Sequence, residues 1–259
     1  MRQQTDGNTQ LRLMSWRGWR RHFEARAGRP IPALEADHDY PLLPDSLKRS
    51  IAIFQLGESG GGGVVRQASE SSLPGLTSDY AHAVRHFVAE EHRHANILAM
   101  CVRLMGRELL KESWTARLFV RGRRLMGLRL KILVLLAAEV VGIVFYRLVA
   151  ERLPPGSMQT WLNEIVRDEQ LHLEFHVAFL RSQMTSGLAR LLFAGTWRAL
   201  TLATIAVVLL DHRKTLRDLH IDRRMARTTL SALARSAGKQ VLRPIGSGER
   251  RNAADCPAI

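Results

Sequence analysis

The sequence predicts an all-α protein built around a four-helix core. Three observations lead there. Apolar residues recur at helical spacing through most of the 259 residues, strand-like alternation is nearly absent, and proline and glycine fall in clusters that divide the chain into long segments. With 46% apolar residues, the chain is long enough to bury one sizeable core and too short to demand two large domains. The expected organisation is an N-terminal extension over 1–44 packing on the core, the core with one further apolar helix over 45–212, and a basic C-terminal helix with a disordered tail over 213–259.

Pro30, Pro32, Pro41 and Pro44 punctuate the N-terminal third and leave Asp45 or Ser46 as the cap of a first core helix over 47–56. Glycines at 60–63 interrupt or loosen that helix, because each costs about 1 kcal/mol in a helix interior, and Pro74 with Gly75 marks a turn. A second helix begins near Ser78 or Asp79 and runs to about Arg107. A basic connection around Arg121, Arg123 and Arg124 leads into a third, which Pro154, Pro155 and Gly156 end. The fourth spans 161–179, a long apolar helix follows over 191–210, and disorder is expected from Gly246 onward.

Thirty-eight Lys and Arg against 24 Asp and Glu give a formal net charge of +14, which suits anionic neighbours such as lipid headgroups, phosphorylated substrates or nucleic acid. The basic C-terminal residues Arg213, Lys214, Arg217, Arg223, Arg224 and Arg227 show no nucleic-acid motif or aromatic stacking pattern, so a solvated basic face and no specific nucleic-acid partner are expected. Cys101 and Cys256 form neither a disulfide framework nor a metal-binding spacing, and Arg20-Arg21 is followed by His22, Phe23, Glu24 and Arg26 where an export signal would need an apolar run. A cytoplasmic protein is the expectation. The stretch 191–210 is long enough to cross a bilayer, but Arg198 at its centre argues against spanning. A helix packed on the bundle is expected there, with peripheral membrane contact as the alternative.

The chemistry-bearing pattern is a repeated Glu-x-x-His. Glu91 precedes His94 on the second helix and Glu169 precedes His172 on the fourth. Positions three apart share a helix face, so a carboxylate and an imidazole can converge on one ion. One such pair is common on solvated faces, whereas two on paired helices point to a metal site. The remaining ligands of such a centre would be single glutamates at the same depth on the partner helices. Reflecting the Glu91/His94 level through the Pro74-Gly75 turn lands beside Glu58, and reflecting Glu169/His172 through Pro154-Pro155-Gly156 lands on Glu139. Glu139 stands in the segment 132–145, which is apolar on every side, and an ionised carboxylate there needs a cation or strong hydrogen-bonding partners. A neutral glutamic acid, a buried arginine partner or a membrane helix with one acidic residue are the alternatives.

The order Glu, Glu-x-x-His, Glu, Glu-x-x-His resembles the ferritin-like di-iron carboxylate superfamily. Phe54-Gln55-Leu56-Gly57-Glu58, the segment from Ala89 to Ala95, and Asp168 to His172 with Phe175-His176 are similar to a bacterial group of ferritin-like domain proteins of about this length, over about 16–212. The resemblance implies a ferritin-like four-helix bundle with additional N- and C-terminal helices. It also implies two iron ions, or a manganese–iron pair, held by Glu58, Glu91, His94, Glu139, Glu169 and His172, with Glu91 and Glu169 bridging. Glu90 and Asp168 would hold the opposite helix's histidine in its tautomer, with ordinary surface charge as their alternative. His176, one turn beyond His172, would contact substrate or support a ligand, unless it is a satisfied core histidine.

Departures narrow the resemblance. Ile165 stands where arylamine N-oxygenases have an additional histidine ligand, Leu98 where ribonucleotide reductase small subunits place a radical tyrosine, and the Cys-x-x-Cys pair of a rubrerythrin is missing. The glycine run beside Glu58 has no counterpart in the superfamily. The implied activity is that of an oxidase or oxygenase using dioxygen, an apolar small molecule and an external electron donor. Iron oxidation and storage is the second reading, and a membrane-peripheral structural protein without metal is the third. The long extensions favour the first, since they offer surface for lining a pocket or docking a donor, and the oligomeric state stays open.

Overall fold

The structure, a computed structural model, describes residues 14–34, 40–60, 62–111 and 126–244. The basic connection around Arg121, Arg123 and Arg124, Cys256 and the expected disordered tail lie outside the described residues. Every regular element among the described residues is helical: α1 (Trp16–Glu24), a 3-10 turn (Tyr40–Leu42), α2 (Asp45–Glu58), α3 (Gly62–Ser69), α4 (Ser78–Leu104), α5 (Leu128–Ala150), α6 (Ser157–Ser182), α7 (Gly187–Asp211), α8 (Arg213–Asp218) and α9 (Arg223–Leu242).

The core is bundle-like. α5 packs along α6, and α2 packs along α4, with α4 and α6 also in contact. α3, α7 and α9 cover further faces of α5, which explains why its sequence lacks a polar side: a helix apolar all round must be buried all round. α1 lies on α4 and inserts Trp19 and Phe23, both fully buried, against Phe175 at ring-centroid separations of 5.3 and 5.2 Å. Phe54 of α2 stacks on Phe145 of α5 at 4.4 Å and ties the two halves together.

Helix ends show where local signals hold and where tertiary contacts override them. α4 stops at Leu104 because Gly106 takes a positive φ of 71° and lets Arg107 N donate to Val102 O and Gly106 N to Arg103 O, at 3.1 and 2.9 Å. At the start of α2 the cap position is held by Pro44, without a side-chain cap bond. Asp45 is the first helical residue, and Ser46 Oγ donates to Asp218 of α8 at 2.8 Å, so the expected Asp45 or Ser46 cap is replaced by a long-range contact. α2 ends at Glu58, and the glycines that follow open a separate helix, α3. The C-terminal region, expected as one helix, contains two, α8 and α9, separated at His220, whose φ is +53°.

The apolar helix over 191–210 was expected to pack on the bundle. In the structure α7 does so along one face only. Phe193, Trp197 and Leu209 are buried, while Leu188, Leu191, Leu192, Leu202 and Leu210 are 57–70% exposed. Hydropathy reports the apolar character of a helix and is silent on what its outer face meets.

Candidate metal centre

α4 and α6 carry the two Glu-x-x-His motifs on facing sides. Glu91, His94, Glu169 and His172 are all buried, and each offers a ligand atom within 4.8 Å of the others, so this group can hold a metal ion. The orientation of the rings is set from outside. His94 Nε2 lies 3.2 Å from Asp168 Oδ2 on α6, and His172 Nε2 lies 3.0 Å from Glu90 Oε2 on α4. Each outer nitrogen thus donates to a carboxylate from the opposite helix, which turns Nδ1 of both rings inward, where a cation would take the place of its proton.

Inside the group, atoms crowd without bonding. His94 Nδ1 is 3.1 Å from Glu169 Oε1 and 3.8 Å from Glu91 Oε1, and His172 Nδ1 is 2.9 Å from Glu91 Oε1 and 3.3 Å from Glu169 Oε2. Only the last is aligned as a hydrogen bond. Glu91 Oε1, Glu169 Oε1 and His94 Nδ1 are buried without a hydrogen-bond partner. An unpaired buried polar atom costs about 1–3 kcal/mol, and three that converge on one point are the arrangement a cation would satisfy.

Glu58 and Glu139 lie outside that group of four and join it from α2 and α5. Glu58 stands beside Glu91 and accepts a hydrogen bond from Tyr146 Oη at 2.7 Å. Glu139 stands beside Glu169, and its Oε1 is 3.1 Å from His176 Nε2. Burial, reinforced by the neighbouring carboxylates, pushes both Glu58 and Glu139 well above the ordinary carboxyl range and favours their protonated form. Burial also acts on Glu169, but the neighbouring Glu139 carboxyl and the imidazoles of His172 and His94 outweigh it and hold this carboxyl well below its usual value.

The outer carboxylates are themselves clamped. Arg26 Nε lies 3.0 Å from Glu90 Oε1 and its guanidinium also bonds Asp168, while Arg29 reaches Glu90 Oε1 at 3.2 Å and Asp168 Oδ2 at 2.7 Å. Burial works against ionising Asp168, yet its bonds to His94 and Arg29 and the charge of Arg26 hold its carboxyl far below the usual range. Burial likewise opposes the His94 imidazolium, but Asp168 and Glu169 raise it to about 9, and His172 is raised for similar reasons. The cluster therefore carries protons on its imidazoles when no cation is present, and a cation would release them. His176 is the opposite case: burial and the His172 charge push it down to about 3, which keeps its ring neutral.

No protein-family model and no curated protein matches the chain. Its chemistry must therefore be argued from the site. Three site residues escaped the sequence reading. Tyr146 had a signal, since it lies two turns after Glu139 on the same face of α5. Arg26 and Arg29 had none, because they follow α1 in a stretch without helical periodicity.

A cavity of about 370 Å³ adjoins the cluster. Glu58, Glu91, Glu139 and Glu169 form its wall on the side of the cluster, Thr204, Asp211 and His212 add polar groups elsewhere, and much of the rest is aliphatic, from Val134, Ala138 and Val141 of α5 and Leu200, Val207 and Val208 of α7. Gly142 also lines it. A Cβ at that position would sit 3.9 Å from Glu169 Cδ and 3.3 Å from the Tyr146 ring, so glycine leaves room between the cluster and the cavity.

Proposed function

We propose that this protein is a ferritin-like non-haem di-iron, or manganese–iron, oxidoreductase that uses dioxygen and an external electron donor on an apolar small molecule. The observation that carries the reading is the position of a buried cluster of inward-facing carboxylate and imidazole atoms on the wall of a largely aliphatic cavity. The residues fit the group: Glu91, His94, Glu169 and His172 would hold the ions, with Glu58 and Glu139 completing the set from the other two helices. Bound metal would supply dioxygen activation.

The chain's own residues account for the rest. Glu90 and Asp168 fix the tautomers of His172 and His94, and the arginine clamp keeps both carboxylates charged. Tyr146 Oη steadies Glu58, and His176 steadies Glu139. Glu58 and Glu139 would surrender their protons as a cation enters, and both face the cavity, where they can exchange protons with a bound molecule. The aliphatic wall excludes water and selects an apolar substrate. It disfavours iron storage, because hydrated iron gains nothing from such a surface.

Metal analysis tests the reading. Purified protein is expected to carry close to two transition-metal ions per chain, and Glu139→Ala or His172→Ala to lose most of them while keeping helical circular dichroism. Full metal content in both variants would remove the centre. Repeated ferrous oxidation with growth of a ferric mineral, indifferent to apolar molecules, would assign iron handling instead.

A further inference from the structure

α7 has two apolar faces with different tasks. Its inner face supplies Leu200, Val207 and Val208 to the cavity. On its outer face Leu188, Leu191, Leu192, Gly195, Ala199, Leu202, Ala206 and Leu210 are exposed and recur at three- and four-residue intervals, so they form one stripe. At 1.5 Å per residue the stripe runs about 33 Å, and no charged residue interrupts it. Arg198 stands at its edge. An apolar strip of that length on a charged protein is a contact surface.

Charge selects the occupant. The segment 187–244 holds eleven Lys and Arg against three Asp. Two of those aspartates, Asp211 and Asp218, are engaged by Arg49 and by Ser46 with Arg217, whereas Arg198, Arg213, Lys214, Arg223, Arg224 and Arg227 are exposed on and after α7. A second copy would bring one strongly basic segment against another. An anionic bilayer offers both of the needed partners, hydrocarbon for the leucines and headgroup charge for the arginines. α7 cannot span that bilayer while Phe193 and Trp197 hold it to the body of the protein, with Trp197 Nε1 donating to Ala234 O of α9 at 3.0 Å.

We infer that α7 lies in the plane of an anionic lipid surface with its leucine stripe immersed, so that the cavity behind it draws a lipid-soluble substrate from the bilayer. Ala203 marks the route, since it is exposed and lines the cavity. The origin of the substrate rests on the oxidoreductase reading, but the docking does not.

Flotation of the full chain tests it, with vesicles of phosphatidylcholine alone and of phosphatidylcholine with a quarter phosphatidylglycerol. The wild type is expected to float with the anionic vesicles and far less with the neutral ones. Leu191→Asp with Leu202→Asp should weaken that binding at least tenfold, and Leu42→Asp, an exposed leucine off the stripe, should leave it unchanged. In a Cys256→Ser background, Ala203→Cys carrying a polarity-sensitive fluorophore should shift to the blue on anionic vesicles. Failure of the wild type to float, equal flotation of the leucine variant, or an unshifted label would overturn the proposal. So would light scattering that shows a dimer dissolved by the leucine substitutions together with no vesicle binding. Metal content, measured on the same samples, separates the two readings: docking without metal removes the oxidoreductase and leaves the membrane surface, and metal without docking does the reverse.

Discussion

In the proposed centre the outer carboxylates would act on metal through the rings they hold. Asp168→Asn keeps an oxygen facing His94 Nε2 but loses the charge that Arg26 and Arg29 clamp, and Glu90→Gln does the same for His172. Each is expected to weaken metal binding by about 10- to 100-fold in a chelator competition, with helical content unchanged. A single residue also sets an acid sensitivity. His212 packs between Phe54 and Phe145, its Nδ1 is 2.7 Å from Ser50 Oγ, and burial pushes it down from 6.5 to about 4. Above pH 6.5 the ring is neutral in both folded and unfolded chains. Between 6.5 and 4 the unfolded chain takes up a proton that the folded one refuses, so stability falls by about 1.4 kcal/mol per pH unit as pH drops, and levels off below 4. Denaturant unfolding of the wild type and His212→Gln across that range should show their difference shrinking with that slope; parallel curves would mean that His212 does not titrate this way.

At the scale of elements, α7 is held by one tight contact with α9. A Cβ on Gly238 would lie 2.6 Å from Trp197 Nε1 and 2.7 Å from its Cδ1, so Gly238→Ala must displace the ring that anchors α7. A loss of about 1–3 kcal/mol in denaturant unfolding is expected, with earlier proteolysis in α7 than elsewhere. Phe23→Ala at the α1–α6 contact should cost more, about 3–5 kcal/mol, because the buried ring packs on both Phe175 and His172. α4 and α6 were legible in the sequence because amphipathic period and the Glu-x-x-His spacing are local signals. The α2 cap was not, since Ser46 is used by a residue 172 positions away. Such partners leave no trace in a window of a few turns.

Across the whole molecule, the proposed centre would couple metal binding to the fold. Four glutamates and two histidines brought together in the core are costly without a cation, so stripping metal should lower the melting temperature and restoring ferrous or manganous ion should recover it. At a free metal concentration 100 times the dissociation constant the gain is about 2.7 kcal/mol, and His172→Ala should show none of it. The amino-acid sequence by itself determined the helical class and the two motif-bearing helices, because periodicity and motif spacing are properties of neighbouring residues. Only the tertiary structure decided that Arg26 and Arg29 clamp Glu90 and Asp168, that Tyr146 holds Glu58, and that α7 turns one apolar face to a cavity and the other outward. These depend on which surfaces meet across 61 to 142 residues of chain, and hydropathy along the sequence carries no record of what stands opposite.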